Sequence, residues 1–559
     1  MSSNAVPVFE ARISPNELSP EARRLFAVVI ASAAIIAPAL IYGVPSNIDL
    51  FNHFRFALPF YDALHSGHWC PAWLAESNSG YGDPSFRFYP PALYYLLALA
   101  RALTGGWYAG TLLTVTALSV VGGLGMYFWA RSILPATTAV WAAVFYALAP
   151  YHVNQLYQAF LLAEYAGAAV LPFAFAFVVR VCRRRRNRDV AGLAVAYALL
   201  ILTHLPLTVI GSIAISLYAL FCLDRNHLRE TLKKLAVAIA LGLGASSTYW
   251  IKMITELRWI GLNNVAPDAS VDYRFNFLFS TFSPDNMNVW WMNILTVVTL
   301  LLFVPALAFL MRDTRRELGG YRLKPVAALA SLSLFMAVPL SYPLWKILSP
   351  LQQTQFPWRW LAIFSMAGSV LAAATFPLWW PNTFRTRRPI RLLVFGAILV
   401  SVVFTLAHSV REAQYRNLQQ FESDLQSVRG TSSVNYWIPV WANSTPRTMK
   451  SDVDAGTRSV TIDFWAAEQR RFEVAAGNAM DARVRTFYYP HWVATSQGHV
   501  LSTRPDRDGA LLISLPADAV SVDLEFREPQ RIRLANLLSA MSCLIIGALA
   551  LPIFAKGEQ

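Results

Sequence analysis

Long apolar segments separated by short clusters of arginine and lysine restrict this chain more than any other feature of its sequence. Hydrophobic residues make up 55% of the 559 residues, and charged residues make up 14%. Inside a bilayer the backbone must satisfy its own hydrogen bonds, and apolar segments of near-span length do so as helices. The sequence therefore predicts a polytopic α-helical membrane protein.

The basic residues cluster between the apolar segments instead of forming one basic domain. The formal net charge is +14, but the clusters at residues 183–188, 225–234, 312–324 and 385–391 fit the excess of Lys and Arg found in cytoplasmic loops. We interpret the charge as a sign of topology, and nucleic acid is not expected as a partner. A cytoplasmic N-terminal tail over residues 1–24 puts all four clusters on the same side.

This topology divides the chain into a transmembrane domain over residues 25–407, with an external loop at 44–107, an external β-rich domain over 408–533, and a last helix with its tail at 534–559. About 12 spans are predicted. They lie near residues 25–42, 108–130, 136–149, 164–179, 190–223 (two spans), 235–250, 290–310, 326–340, 361–380, 392–407 and 534–553. Residues 90–101 are expected to form an interfacial helix and not a span, because the two prolines and the two flanking arginines suit a membrane surface.

The region before the last span alternates apolar and polar residues in the manner of half-buried strands. Residues 458–465, 510–515 and 520–526 show this period of two, and turn sequences stand at 454–456 and 506–509. We predict a small antiparallel β-sandwich outside the membrane, preceded by a short helix near residues 412–428.

The start of the first external loop carries the first candidate site. Asp49 and His53 are four residues apart, so a helix would place both side chains on one face, just beyond a membrane span. Charged groups at such a position commonly mark a site. Two other interpretations stay open: Asp49 can cap the helix that follows it, and His53 can be a hydrogen-bonded loop histidine.

Three further candidates lie at the ends of apolar spans. Glu164 stands at the mouth of a span and needs a partner there, such as a cation or His152. His204 precedes Pro206, where it can bind substrate or bond carbonyl groups that the helix break leaves free. Arg359 lies between two tryptophans, which suits a lipid phosphate or, alternatively, a snorkelling arginine in an aromatic belt.

Several short motifs, in their order along the chain, resemble a known family. They are Asp-Leu-Phe-Asn-His at 49–53, Gly-Tyr-Gly-Asp-Pro at 80–84, Phe-Tyr-Pro-Pro at 88–91, Gly-Met-Tyr-Phe-Trp-Ala-Arg at 125–131, Ala-Pro-Tyr at 149–151, Ala-Glu at 163–164, Thr-His at 203–204 and Gln-Phe-Pro-Trp-Arg at 355–359. The chain resembles the GT-C superfamily of membrane glycosyltransferases and, more closely, the bacterial group labelled 6-pyruvoyl-tetrahydropterin synthase-related membrane proteins. The label is misleading, because the sequence contains no zinc-binding histidine triad.

The resemblance implies an enzyme that transfers a sugar from a polyprenyl phosphate with inversion of the anomeric centre. It implies catalytic roles for Asp49 and Glu164, beside which we place His53. Donor binding is expected from Arg359 with Gln355 and Trp358, from Arg87 or Lys252 as phosphate clamps, and from Tyr81 and His204. Glu164 stands where the superfamily often has Asp, so the resemblance leaves open whether a divalent metal takes part.

The expected partners are a polyprenyl-phosphate-linked sugar, the lipid bilayer, and a glycan, lipid or protein acceptor. The expected location is the bacterial inner membrane, with the active site facing the periplasm or the exterior. Two other functions stay open at this point: a carrier or flippase for lipid-linked glycans, which also has many spans, and a non-catalytic membrane scaffold.

Overall fold

The computed structural model describes residues 19–47, 49–261, 271–280, 289–301, 323–385, 389–431, 437–442 and 449–551. Within these ranges the chain is mostly helical, and a region rich in β-strands precedes the last helix. The α-helices are α1 (Pro20–Ala34), α2 (Ala37–Tyr42), α3 (Leu50–His65), α4 (Ala92–Thr104), α5 (Trp107–Arg131), α6 (Ala136–Ala147), α7 (Pro150–Tyr157), α8 (Leu162–Arg184), α9 (Asn187–Thr203), α10 (Leu205–Cys222), α11 (Leu228–Ala245), α12 (Ser247–Glu256), α13 (Val289–Leu301), α14 (Lys324–Ala337), α15 (Tyr342–Ile347), α16 (Ser349–Gln352), α17 (Leu361–Arg385), α18 (Pro389–Arg411), α19 (Leu418–Val428) and α20 (Gln530–Ala550).

Four helices of the described ranges are long and apolar enough to cross a bilayer: α5, α8, α10 and α20. Two more candidates are bent pairs, Arg225–Ala245 with Ser247–Trp259 at 70° and Lys324–Ala337 with Pro339–Ile347 at 86°. The number of about 12 spans therefore stays a prediction. The segment predicted at 25–42 is broken between α1 and α2, α6 has only 12 residues, and much of the segment predicted at 290–310 lies outside the described residues.

Close helix packing forms the core of the transmembrane domain. Helix α5 lies against α1, α6 and α8. A β-carbon added at Gly123 of α5 would approach the Ser32 hydroxyl of α1 to 2.0 Å, so only glycine allows this contact. Small residues at such crossings let membrane helices come close enough to pack, which apolar attraction alone does not achieve in lipid. This core holds the ends of α7, α8 and α10 in fixed positions.

The first loop, residues 44–107, contacts the chain segment that follows α18 at two places. Strand β1 (Val44–Pro45) pairs antiparallel with β2 (Tyr415–Arg416), which follows α18. Helix α4, at the position of the predicted interfacial helix, packs on α3 and α5, while Tyr95, Leu99 and Leu103 remain exposed along one side of it. Helix α19 begins at a capping box on Asn417 and packs against α3. It lies within the helix predicted at 412–428.

The predicted β-sandwich is present, and its two sheets are antiparallel. The remaining strands are β3 (Val453–Asp454), β4 (Val460–Trp465), β5 (Gln469–Val474), β6 (Met480–Phe487), β7 (Trp492–Ser496), β8 (His499–Leu501), β9 (Thr503–Pro505), β10 (Ala510–Leu515) and β11 (Val520–Phe526). One sheet has the order β3-β6-β10-β9, and the other has the order β4-β5-β11-β7-β8. Alternate residues of β5, β6, β10 and β11 point into one shared core, as two packed sheets require.

The first loop also contributes to the sandwich. Trp73 is fully buried in the sandwich core, where its ring packs against Trp492 at 5.7 Å and Phe526 at 5.6 Å. The loop backbone pairs with itself between Leu74 and Asp83, and Phe487 of β6 donates a hydrogen bond to the carbonyl of Tyr81 at 2.8 Å. The loop and the sandwich thus form one packed unit beside the ends of the membrane helices.

Candidate active site

Asp49 lies at the N-terminal end of α3, where the cap residue usually bonds a free backbone N–H. Its side chain makes no such capping bond. It accepts a hydrogen bond from the Asn52 amide at 3.2 Å and is half-buried. The alternative of a helix cap therefore explains the position of Asp49 but not what its carboxylate does.

His53 lies one turn later in α3 and is buried, so it is a helix residue and not a loop histidine. Its Nδ1 is 3.0 Å from the Tyr94 hydroxyl of α4, and Tyr94 in turn bonds to Tyr89. Its Nε2 is buried without a hydrogen-bond partner among the described residues. Burial lowers the pKa of His53, and the Asp49 charge opposes this change. The imidazole is thus buried beside Asp49 and bonded on one side only.

Glu164 lies in the first turn of α8 and is 2% exposed. Its Oε2 accepts a hydrogen bond from Arg359 Nε at 2.8 Å, and its Oε1 accepts from Gln155 at 2.8 Å and from the Tyr151 hydroxyl. The partner of this carboxylate is therefore Arg359. His152, the other candidate, packs its ring between Tyr146 at 4.7 Å and Tyr165 at 4.6 Å.

Arg359 is buried in a 3₁₀ turn that precedes α17. Besides the Glu164 pair, it donates from Nη1 to the Thr354 carbonyl at 2.5 Å, and its guanidinium lies 4.6 Å from the centre of the Phe356 ring. Trp358 stacks on the same Phe356 ring at 4.7 Å. Gln355 has a φ of +65°, a left-handed conformation that costs energy in a residue with a side chain and recurs at functional sites.

Tyr89 lies near both Asp49 and Arg359. Burial raises the pKa of Tyr89, the Asp49 charge adds to that rise, and the Arg359 charge opposes it. One phenol group thus lies within the fields of both residues. His204, the N-cap of α10, accepts a bond from the backbone N–H of Leu207 at 3.2 Å and lies within reach of the charges of Arg359 and His53. The capping bond fits the structural alternative for His204.

Arg87 has other partners than the predicted phosphate. It is fully buried and forms bidentate pairs with two carboxylates: Nη2 is 2.7 Å from Glu256 Oε1, and Nη1 is 2.7 Å from Glu528 Oε1. Glu256 also accepts from Tyr489 at 2.8 Å and lies 3.0 Å from His491 Nε2. We call the set Arg87, Glu256, Glu528, Tyr489 and His491 the ionic junction. Arg87 therefore joins the first loop, α12 and the sandwich. These contacts occupy its guanidinium, so Arg87 does not have the role in donor binding that the sequence predicted.

Two further residues that the sequence predicted for donor binding make structural contacts instead. Lys252 lies 3.4 Å from Glu528 in an ion pair and so belongs beside the ionic junction. Tyr81 is 1% exposed and packs on Phe487 at 5.3 Å in the sandwich core. Because its ring is covered, Tyr81 offers no surface on which a sugar could stack.

The structure adds residues that the sequence did not single out. Tyr89, Tyr94, Tyr151 and Gln155 surround the predicted acids, and Glu256 and Glu528 hold Arg87. Tyr89 and Tyr151 lie inside motifs named above, so the motifs point to their neighbourhood. Tyr94 lies on a helix whose pattern indicated a membrane surface, and Glu256 lies beyond the span predicted at 235–250, so no local signal distinguishes them.

The arrangement of Glu164 does not fit a metal ligand. Both carboxylate oxygens accept hydrogen bonds, and the Arg359 guanidinium would repel a cation at this place. In the described part of the chain no group of three or more His, Cys, Asp and Glu side chains is placed to hold a metal ion.

Comparison with known proteins gives one family match in sequence. A family model described as 6-pyruvoyl-tetrahydropterin synthase related domain, membrane protein, matches residues 86–410. This range includes Glu164, His204 and Arg359 and begins after Asp49 and His53. No curated protein matches the chain.

Solved structures of glycosyltransferases overlap the chain in part. The oligosaccharyltransferase of Archaeoglobus fulgidus matches with a TM-score of 0.43 and 12% identity over 72% of this chain. The arabinofuranosyltransferase AftD from Mycobacteria gives 0.43 and 16% over 73%, and ArnT from Cupriavidus metallidurans, solved with undecaprenyl phosphate, gives 0.39 and 13% over 73%. The chain spans 57% of the archaeal enzyme, 27% of AftD and 74% of ArnT. At these TM-scores the overlap carries no weight for substrate or mechanism.

Proposed function

This chain belongs to the 6-pyruvoyl-tetrahydropterin synthase-related family of membrane proteins, and from the geometry of its site we propose that it is a GT-C-type membrane glycosyltransferase. The proposed reaction moves a sugar from a polyprenyl phosphate to a hydroxyl group of an acceptor. The acceptor class, whether glycan, lipid or protein, is left open by the residues of the site.

A single observation carries the proposal: the Asp49 carboxylate is not used to build the fold. It stands at a helix start without capping the helix, and its described side-chain bond is the one from Asn52. Around it lie the buried His53 and Tyr94 and the half-buried Tyr89, and the buried His53 Nε2 has no partner among the described residues, which is costly in a merely structural core. A carboxylate that is free to accept a proton, in a partly dry site, is what a general base requires.

In the proposed step Asp49 takes the proton from the acceptor hydroxyl while the oxygen attacks the anomeric carbon of the sugar. The new glycosidic C–O bond forms as the bond between that carbon and the phosphate oxygen breaks, and both electrons of the broken bond leave with the polyprenyl phosphate. Attack opposite to the leaving group inverts the anomeric centre. His53 and Tyr94 hold the Asp49 side of the site through their hydrogen bond.

Arg359 is our candidate for the group that receives the departing phosphate. A guanidinium has five N–H donors, and the described bonds of Arg359 use Nε and one donor of Nη1. The remaining donors suit phosphate oxygens, whose developing charge they would stabilise. Glu164 fixes the orientation of the guanidinium, and Phe356 and Trp358 provide aromatic surfaces beside it.

The basic clusters support a proposal for the side of the membrane on which the site lies. We propose that the site and the sandwich face the periplasm or the exterior of a bacterial inner membrane, because residues 183–188 at the far end of α8 are basic. Cells expressing the protein with Cys70, which is exposed, replaced by serine provide the test. An impermeant thiol reagent should label a cysteine placed at Ser496 and not one placed at Asn187, and the opposite pattern would reverse the topology.

A carrier for lipid-linked glycans is the second candidate function, and the two bent helix pairs, at 70° and 86°, favour it because transporters use broken helices at their binding sites. The acids of the present site, Asp49 and Glu164, stand at the starts of helices and not in the middle of a span, which favours chemistry. A carrier would move a fluorescent lipid-linked sugar across a liposome membrane without releasing polyprenyl phosphate.

The decisive experiment measures polyprenyl phosphate released from a panel of polyprenyl-phosphate sugars by the purified full-length protein. Asp49→Asn should lower turnover by about 10²–10⁴-fold, the range for a lost general base, while the melting temperature stays near that of the parent protein. Asp62→Asn is the matched control, because it removes a carboxylate from the same helix that instead pairs with Arg429. Near-normal turnover in Asp49→Asn would exclude this residue as the base, and no release by the parent protein on any donor would contradict the proposed function.

A further inference from the structure

A cleft lies between the ends of three helices far from the candidate active site. Its volume is about 270 Å³, and it is lined by α9, α11 and α20. On the same measure one water needs only about 10–15 Å³, so the cleft has room for a polyatomic group. The lining residues are Asn187, Val190, Glu230, Lys233, Lys234, Val237 and Leu549.

The position of Leu549 locates the cleft relative to the sandwich. Helix α20 begins at Gln530, four residues after the last strand of the sandwich, and Leu549 is in its last turn. At 1.5 Å per residue a helix of 21 residues is about 30 Å long, which equals the hydrocarbon thickness of a bilayer. The cleft therefore lies at the opposite membrane surface from the sandwich.

The cleft combines positive charge with an apolar wall. Lys233 is exposed at its rim, and Lys234 bonds to the carbonyl of Arg185. The acidic member, Glu230, lies 3.5 Å from Arg185 and 4.0 Å from Lys234, so its charge is already balanced. The apolar members, Val190, Val237 and Leu549, come from three different helices, and of them Val237 is exposed, Leu549 is half-buried and Val190 is buried.

We propose that this cleft binds the phosphate headgroup of an anionic phospholipid, with an acyl chain along the apolar wall. The headgroup phosphate would meet Lys233 and Lys234, and the glycerol region would meet Asn187. Basic clefts between membrane helices on the cytoplasmic side suit such headgroups. A soluble phosphate ester would use the lysines but would leave the apolar wall in contact with water, which favours the lipid as the occupant.

Binding of phosphatidylglycerol and phosphatidylcholine to the purified full-length protein in detergent, measured by native mass spectrometry, tests the proposal without reference to enzymatic activity. Phosphatidylglycerol should be retained more strongly, and Lys233→Gln should lower its affinity about fivefold, the effect of about one basic residue near a membrane surface. Lys233→Arg should retain the binding. Arg229→Gln is the matched control, because it removes one charge from the same helix at a residue that does not line the cleft.

Each outcome decides between a site and a diffuse attraction. Loss in Lys233→Gln but not in Arg229→Gln supports the cleft, whereas equal losses in the two variants would overturn it in favour of general electrostatic attraction. Val237→Asn, which keeps the charge but makes the wall polar, should also weaken retention. Full competition by glycerol 3-phosphate at matched concentration would show that a free phosphate ester, and not a lipid, is the occupant.

Discussion

Arg359 and Arg87 are both buried arginines paired with glutamate, but their surroundings differ. Arg87 makes four hydrogen bonds to two carboxylates, and its pairing with Glu256 and Glu528 joins three parts of the fold. Arg359 bonds one carboxylate and one backbone carbonyl, and the half-buried Asp49 lies close enough for its charge and that of Arg359 to act on the same tyrosine. Arg87, with four bonds to two carboxylates, holds the structure together, whereas Arg359 has fewer bonded donors among the described residues and is the better candidate to bind a ligand.

The largest expected effect is the loss of stability when Arg87 is replaced. Arg87→Met leaves the buried Glu256 and the partly exposed Glu528 without their main cation, and breaking a buried pair from one side costs about 3–5 kcal/mol. Unfolding of the full-length protein in detergent measures this loss. Arg471→Met is the matched control, since its pair with Asp523 is half exposed and should be worth at most about 1 kcal/mol. Equal losses in the two variants would remove the distinction between the ionic junction and an ordinary surface pair.

The next effect is the loss of donor affinity when Arg359 is replaced. Arg359→Ala should weaken binding of a polyprenyl-phosphate sugar by about 1.5–3 kcal/mol, the range for a hydrogen bond to a charged group. Arg359→Lys should restore only part of this, because lysine keeps the charge but lacks the planar fork. Equilibrium binding of a labelled donor provides the measurement.

A double variant separates binding from stability at this site. Arg359→Ala alone leaves Glu164 unpaired and should also lower the melting temperature, whereas Arg359→Gln with Glu164→Gln removes both charges together. The double variant should therefore regain stability and still bind donor weakly. Donor affinity equal to that of the parent protein in all three variants would assign Arg359 to the aromatic belt.

The smallest effect concerns the pH dependence of the ionic junction. Burial alone raises the pKa of Glu528, but the hydrogen bond and charge of Arg87, with Lys252, outweigh this and leave the pKa below its ordinary value. A lowered folded pKa gives stability that is present above the unfolded pKa of about 4.3 and is lost as pH falls through the folded value. Glu528→Gln should cost about 1–2 kcal/mol at neutral pH, and its difference from the parent protein should shrink in acid. Unfolding curves from neutral pH to about pH 3 would show this, and a constant difference would mean that Glu528 contributes no charge effect.

The sequence predicted the parts of the fold that have a local pattern. Strands β10 and β11 match the segments predicted at 510–515 and 520–526. Successive side chains of a strand point to opposite faces of the sheet, so the polarity of each residue indicates which face it occupies. Helices α5, α8, α10 and α20 match predicted spans for the equivalent reason. The break between α1 and α2 was not predicted, because apolar composition continues through it. The bends after α11 and α14 fall inside the spans predicted at 235–250 and 326–340, and their angles depend on tertiary packing that no local pattern reports.

The site was predictable in outline only. Asp49, Glu164 and Arg359 were grouped because the topology puts the ends of their spans on one side, and the structure places Glu164 and Arg359 in direct contact. Arg87 and Glu256 are 169 positions apart in the chain, and nothing near either residue identifies the other. The difference between Arg87, which bonds two carboxylates, and Arg359, which bonds one, therefore depends on tertiary contacts.

The backbone beside Asp49 has a consequence for the biosynthesis of the protein. The Asn47 side chain donates to the Gln158 carbonyl at 2.7 Å and accepts from the backbone N–H of Gln414 at 3.1 Å, a residue 367 positions later, and Val44 pairs with Arg416. A ribosome must therefore translate, and the insertion machinery must place, nearly every membrane helix before these contacts can close around Asp49. We expect shorter nascent chains to be catalytically silent, so that lipid-linked sugar is not consumed until the chain is almost complete.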